Sequence, residues 1–136
     1  KITGFRIGLV SARLRVPFKT ALRTVDSVED VIVELETSTG KIGRGEAPPT
    51  AAITGETLDS IIAALRDHIC PKLVGRDISD FEELQNAVQT AIVGNSSAKA
   101  AADIALWDLY AQDCGLPLYM LLGGGTPRLE TDLTKA

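Results

Sequence analysis

The sequence predicts an α+β fold in which a three-stranded antiparallel sheet is followed by a helical bundle. Two stretches of alternating apolar and polar residues open the chain, and a third follows a Ser-Thr-Gly-Lys turn. This pattern is typical of strands, and the turn joins the last two of them as a hairpin. After residue 55 the apolar residues recur at helical spacing in three successive segments. Strands followed only by helices favour helices stacked on one face of a small sheet.

The first strand is predicted from Ile2 to Leu14 and is expected to end at Pro17. In the second strand Val31, Val33 and Leu35 alternate with acidic residues, and the third runs over residues 42–47. Alternation of this kind places one face of each strand on the core. Gly43 and Gly45 fall in the third strand, where small residues allow another backbone to approach closely.

Two connections, residues 17–27 and 47–55, are predicted to be loops that carry exposed apolar side chains. The first contains Phe18 and the second contains Ile53 between two prolines and a glycine. Prolines and glycines of this kind favour irregular structure. Both connections leave the same end of the predicted sheet. They could therefore close together over a ligand, as lids do.

Three helices follow in the prediction. The first covers residues 56–69 and is stopped by Pro71, and the second begins at Ser79, which has the spacing of a capping box with Glu82. The third is the longest apolar helix signal. Asn95 or Ser96 is expected to cap it, Gly115 to end it, and its alanines to face neighbouring backbones.

Composition excludes several classes of function. The chain has 136 residues, 45% of them hydrophobic, which suits one globular domain. A net charge of −4 argues against nucleic acid and anionic membranes as partners. No apolar run reaches the roughly 18 to 20 residues that span a bilayer, and we expect a cytoplasmic protein. The single histidine, His68, and the two cysteines, Cys70 and Cys114, lack the spacing of a catalytic or metal site.

Two longer segments resemble a known family. The pattern A-K-A-A-A-D-I-A-L-W-D-L, followed by G-L-P-L-Y-M-L-L-G-G, resembles the end of the N-terminal capping domain of the enolase superfamily, in its muconate-lactonizing subgroup. The segments P-F-K-T-A-L-R-T and G-R-G-E-A-P-P-T-A-A-I-T-G-E are similar to those of dipeptide epimerases, which act on L-Ala-Glu type dipeptides. The resemblance extends over the whole chain.

The resemblance implies a division of the chain and of the chemistry. Residues 1–127 would form the capping domain, and residues 128–136 would start a (β/α)8 barrel with its first strand only. In the family, Mg²⁺ held by three acidic residues stabilises an enediolate while two lysines exchange the α-proton, all on barrel strands. We therefore expect no catalytic residue and no metal ligand in this chain, and no epimerase activity from it alone.

The resemblance also implies which residues meet the substrate. Arg23, on its loop beside Phe18, would pair with the side-chain carboxylate of the dipeptide. Thr134, at the end of the first barrel strand, would contact the dipeptide as well. The other predicted substrate contacts are Phe18 and Ile53, and the residues predicted to belong to the lid loops are Lys19, Thr20 and Thr50.

Other functions stay open at this point. The chain could cap a related cycloisomerase or o-succinylbenzoate synthase, because those substrates also carry carboxylates. It could instead be a stand-alone binding or assembly domain without catalysis. The predicted partners are a dipeptide and the protein's own barrel. Apolar residues after the long helix (Leu116, Leu118, Met120 and Leu121) are expected to be exposed and to favour self-association, so a homo-oligomer also stays open.

Overall fold

A computed structural model describes residues 1–21, 24–125 and 130. Three strands, β1 (Ile2–Lys19), β2 (Thr24–Thr37) and β3 (Ile42–Ala47), form one antiparallel sheet in the order β1-β2-β3. Short helices and one long helix follow along the chain. The predicted α+β class, with a three-stranded antiparallel sheet before the helices, is confirmed.

The first two strands extend further than the sequence predicted. Pairing is interrupted by a change of register after Arg13↔Ser27, and it resumes at Phe18↔Val25 and Lys19↔Thr24. Pro17 falls within that irregularity, where a residue without an N–H group is tolerated. The prediction that β1 ends at Pro17, and that a loop follows it, is therefore wrong. Most of that segment is a two-stranded ribbon that projects beyond the rest of the sheet.

The helical part begins with a short turn, α1 (Ala51–Thr54), inside the segment that was predicted to be irregular. Next, α2 (Leu58–Ala63) continues as a π-helical segment (Ala64–Ile69) and a 3-10 turn (Cys70–Lys72). The last three helices are α3 (Phe81–Gln89), α4 (Ser96–Cys114) and α5 (Leu118–Leu121).

The helix ends differ in part from the predicted ones. The predicted capping box at Ser79 does not form, because its hydroxyl donates to Asp77 instead. A reciprocal box forms between Thr57 and Ser60 at the start of α2. The C-terminal end of α4 is as predicted, with Gly115 at φ 67°.

The core lies between the sheet and α4. Val31, Val33 and Leu35 of β2 are fully buried in it, as are four alanines of α4: Ala98, Ala101, Ala102 and Ala105. β3 carries Gly43 and Gly45 where α4 crosses it, and an added Cβ at either would overlap backbone atoms of α4. The expected close backbone approach is confirmed. An aromatic cluster packs α3 on α4: the Phe81 ring centroid lies 4.4 Å from that of Tyr110 and 4.6 Å from that of Trp107.

The other face of the sheet carries a cluster of charged side chains. Glu34 of β2 accepts hydrogen bonds from Arg44 of β3 at 2.8 Å and from Arg6 of β1 at 3.1 Å. The Arg44 guanidinium, helped by Arg6, holds the pKa of Glu34 below its ordinary value although partial desolvation opposes the shift. These exposed pairs link the three strands but contribute little to stability, because solvent screens them.

Among the helices in the described ranges, none is long and apolar enough to cross a membrane.

Candidate functional site

The β1–β2 ribbon and the segment after β3 lie at the same end of the sheet. Leu9, Val31 and Ala47 form one row across the three strands. Beyond this row the ribbon continues, and the chain leaves β3 through Pro48. A groove of about 230 Å³ lies where ribbon residues 25–30 meet residues 48–50. The prediction that both segments leave one end of the sheet is therefore confirmed.

On the ribbon, Phe18 and Lys19 lie in paired strand rather than in a loop. Phe18 pairs with Val25 and its side chain is 45% exposed, and Lys19 pairs with Thr24 and is exposed. Thr20 follows directly after β1 and is exposed. An exposed phenyl ring on a projecting ribbon offers an apolar surface to a ligand or to another domain.

On the second segment, Thr50 and Ile53 belong to the α1 turn. The Thr50 carbonyl accepts hydrogen bonds from the Ile53 and Thr54 N–H groups at 2.8 and 2.9 Å, and the Thr50 and Thr54 hydroxyls lie 3.2 Å apart. Ile53 is 70% exposed. The local hydrogen bonds give residues 50–55 a defined shape, while the Ile53 side chain stays uncovered.

Arg23 and Thr134, the two predicted contacts with substrate, lie outside the described residues, as does the predicted barrel strand around Thr134. The roles of Arg23 and Thr134 remain predictions. The apolar residues expected to be uncovered after α4 are partly so: Leu116 and Met120 are exposed, and Leu118 and Leu121 are half-buried.

Sequence reasoning missed the role of Glu56, which directly follows residues 48–55. Glu56 is only 8% exposed, and its carboxylate lies at the N-terminus of α4, 40 residues further along the chain. It accepts hydrogen bonds from the Ser97 N–H group at 3.0 Å and from the hydroxyls of Ser96 and Ser97 at 3.0 and 2.9 Å. No local pattern marks this contact, because a helix cap is ordinarily sought within one turn of the helix start.

The electrostatics of Glu56 follow from these contacts. Burial by itself would raise the pKa of Glu56, but the hydrogen bonds from Ser97 and Ser96 together outweigh it and leave the pKa below its ordinary value. The carboxylate is therefore charged at neutral pH. The helix dipole favours a negative charge at the N-terminus of α4.

The described residues offer no metal centre. In residues 1–21, 24–125 and 130, there is no group of three or more His, Cys, Asp or Glu side chains that could hold a metal ion. His68 is exposed, Cys70 is buried and Cys114 is exposed. A resident Mg²⁺ does not fit this part of the molecule, and no step of chemistry is assigned to one here.

The chain resembles proteins of known activity, but over part of their length. It is 52% identical over 94% of its residues to the L-Ala-D/L-Glu epimerase of Clostridium acetobutylicum, of which it covers 36%. It superposes with a TM-score of 0.87 and 45% identity on a substrate-liganded complex of the L-Ala-D/L-Glu epimerase from Bacillus subtilis, with 90% of this chain and 34% of that chain matched.

A further solved structure extends the comparison. The dipeptide epimerase from Cytophaga hutchinsonii, complexed with Mg and the dipeptide D-Ala-L-Val, superposes with a TM-score of 0.86 at 35% identity, over 93% of this chain and 34% of that one. This chain thus spans about a third of the length of the relatives that it matches. Residues 2–123 also match the family described as mandelate racemase / muconate lactonizing enzyme, N-terminal domain. The sheet, the helices that cover it and this match over most of its length agree, and the chain belongs to that N-terminal domain family.

Proposed function

We propose that this chain is the specificity and lid domain of a longer, cytoplasmic, Mg²⁺-dependent dipeptide epimerase that inverts the α-carbon of the C-terminal residue of L-Ala-Glu-like dipeptides. In this proposal residues 1–127 form the cap and residues 128–136 begin the barrel. The observation that carries it is the 52% identity to an L-Ala-D/L-Glu epimerase over 94% of the chain. The projecting ribbon and the lid segment at one end of the sheet support it.

The proposed task of this chain is closure rather than chemistry. The metal and the acid/base groups are assigned to the rest of the longer protein, because this chain covers only about a third of the matched epimerases, one of which is complexed with Mg. When bound there, Mg²⁺ would stabilise the negative charge that forms when the α-proton leaves. Closure of the ribbon and the lid would exclude water, and the exposed side chains of Phe18 and Ile53 would supply the apolar cover.

Arg23 is proposed to select an acidic second residue in the dipeptide. It directly precedes Thr24, the first residue of β2, and it belongs to the segment P-F-K-T-A-L-R-T that also carries Phe18. A guanidinium binds a carboxylate through two parallel hydrogen bonds, and an adjacent apolar side chain strengthens the pair by reducing its contact with water. Thr134 is proposed as a further contact with the dipeptide.

The proposal is tested by kinetics of Arg23→Met in the full-length protein on L-Ala-L-Glu and L-Ala-L-Leu. Loss of a partly desolvated charge pair should cost about 2 to 4 kcal/mol, a factor of roughly 30 to 1000 in kcat/KM on the acidic dipeptide. The leucine dipeptide should lose little. Arg13→Met is the matched control, because Arg13 is an exposed arginine of the β1–β2 ribbon.

Several outcomes would contradict the proposal. Equal losses on both dipeptides would mean that Arg23 holds the ribbon rather than the substrate. Absence of α-proton exchange on any dipeptide by the full-length protein in D2O with Mg²⁺ would refute the epimerase assignment, and turnover of a cycloisomerase or o-succinylbenzoate synthase substrate would replace it. Metal-dependent exchange by the 136-residue chain alone would refute the assignment of chemistry to the barrel.

A further inference from the structure

The buried carboxylate of Glu56 joins two parts of the molecule that are distant in sequence. On one side it accepts hydrogen bonds from Ser96 and Ser97 at the start of α4, the longest helix. On the other side, Glu56 directly follows Gly55, the last residue of the proposed lid segment (residues 48–55), and the Gly55 backbone adopts φ 78°. A side chain that is charged, buried and fully hydrogen-bonded is held in one place.

The helix has no cap of its own that could replace Glu56. Asn95, at the N-cap position, has a left-handed backbone with φ 55° and makes no capping hydrogen bond with its side chain. That side chain donates instead to the Val93 carbonyl at 3.0 Å. The first N–H groups of α4 therefore depend on the Glu56 carboxylate, which is also favourably placed for the helix dipole.

The lid segment between its two ends is exposed and makes mostly local contacts. All four residues of α1 (Ala51–Thr54) are exposed, and their backbone hydrogen bonds return to Thr50 and Ala51. The N-terminal end of the segment is fixed, because Ala47 is buried in β3. The C-terminal end passes through Gly55 into Glu56, whose backbone N–H donates to the Thr54 hydroxyl at 3.3 Å and whose carboxylate is held at the start of α4.

We propose that Glu56 is a positioning residue, which fixes the C-terminal end of lid residues 48–55 on the start of α4 so that the lid closes in one place over substrate. The proposal rests on the proposed function for the identity of the substrate, but the anchoring itself is a property of this chain. Glu56 does not touch substrate in this role. It acts through the lid residues, Ile53 among them.

Amide hydrogen exchange in the 136-residue chain separates anchoring from simple helix capping. In Glu56→Gln, which keeps the shape and loses the charge, the N–H groups of Ile53, Thr54 and Gly55 should exchange about 10-fold faster, since a hydrogen bond to a charged group is worth at least one factor of ten. The Ser97 N–H group should exchange faster too. If exchange becomes faster only at the Ser97 N–H group and not at the three lid amides, Glu56 caps α4 but does not position the lid.

Two further variants keep this test decisive. Glu36→Gln removes the same charge from an exposed position of β2 and should change none of these amides. Ser97→Ala removes one hydroxyl donor at 2.9 Å from the other side of the contact, and it should shift the lid amides in the same direction by a smaller factor. If Glu56→Gln does not fold, Ser97→Ala alone decides: unchanged lid amides in it would overturn the proposal.

The full-length protein provides the functional measurement. A lid that is no longer held in place weakens substrate binding, so Glu56→Gln should raise KM for L-Ala-L-Glu about 10-fold while kcat changes less than about threefold. Glu36→Gln should leave both unchanged. A loss in kcat with unchanged KM would contradict positioning through the lid. If the unsubstituted full-length protein turns over no dipeptide, the proposed function fails, and the amide exchange result still decides the anchoring.

Discussion

Substitution of Gly45 by alanine tests the close packing of α4 on the sheet. Gly45 lies in β3 beneath α4, and an added Cβ would overlap the Ala101 carbonyl oxygen and lie 2.8 Å from the Ala101 carbonyl carbon and 3.1 Å from the Ala105 nitrogen. All three are backbone atoms of a 19-residue helix. No side chain can rotate to make room, so the helix itself must move away from the sheet.

The distances around Gly45 set the size of the expected loss in the free energy of unfolding. Ordinary contacts between such atoms are about 3.5 to 4.0 Å, so relief of the overlap with the Ala101 carbonyl oxygen requires α4 to move by roughly 2 Å, and a gap of only about 1 Å already removes up to half of each dispersion contact across the interface. Ala101, Ala105 and Leu109 are buried there. Overpacking costs typically 1 to 3 kcal/mol, and we expect Gly45→Ala to reach about 3 kcal/mol because backbone cannot repack.

Urea unfolding of the 136-residue chain measures this loss against a matched control. Gly8→Ala adds the same methyl group to a strand of the same sheet, where no atom lies within 4 Å. It should stabilise the fold by about 0.5 to 1 kcal/mol, because alanine loses less backbone entropy than glycine in a strand. A free energy of unfolding for Gly45→Ala within about 0.5 kcal/mol of the unsubstituted chain would refute the packing argument.

Two predictions concern ionisable groups. Because the folded pKa of Glu56 lies below its ordinary 4.5, its stabilising effect should be complete above about pH 4.5 and be lost as the pH falls through the folded pKa. The difference in Tm between the unsubstituted chain and Glu56→Gln should therefore narrow below pH 4.5, and a constant difference would contradict this. Burial raises the pKa of the Cys70 thiol to about 12, whereas Cys114 is exposed. A thiol reagent at pH 8 should modify one cysteine in the folded chain and two in denaturant, and rapid modification of both in the folded chain would show that Cys70 is accessible.

The periodic elements could be predicted because their pattern is local. Alternation in β2 identifies the buried face of that strand without any knowledge of its neighbours, and the alanine-rich run of α4 identifies a helix that other backbones can approach closely. The close backbone approach at Gly43 and Gly45 could be predicted for a similar reason. Two glycines two residues apart in a strand lie on the same face, and a face without side chains leaves room for another backbone.

The sequence did not predict the ribbon, because a proline ends a central strand, where it cannot donate the hydrogen bond that the neighbouring strand requires. In β1 the change of register between Arg13 and Phe18 leaves room for Pro17, so pairing resumes beyond it. Whether a proline ends a strand depends on whether its position must donate to a neighbour. That depends on the partner strand, which the local sequence does not specify.

The sequence by itself determined the fold class, the order of the strands and helices, the buried faces and the resemblance that points to a capping domain. Only the tertiary structure decided that the connection predicted between the first two strands is largely a paired ribbon with a groove between it and residues 48–50, and that Glu56 caps a helix 40 residues away. The physical reason is the range of the interactions. Periodicity and turn chemistry act between near neighbours in sequence, whereas a buried carboxylate takes its donors from whatever backbone the folded chain brings within about 3 Å.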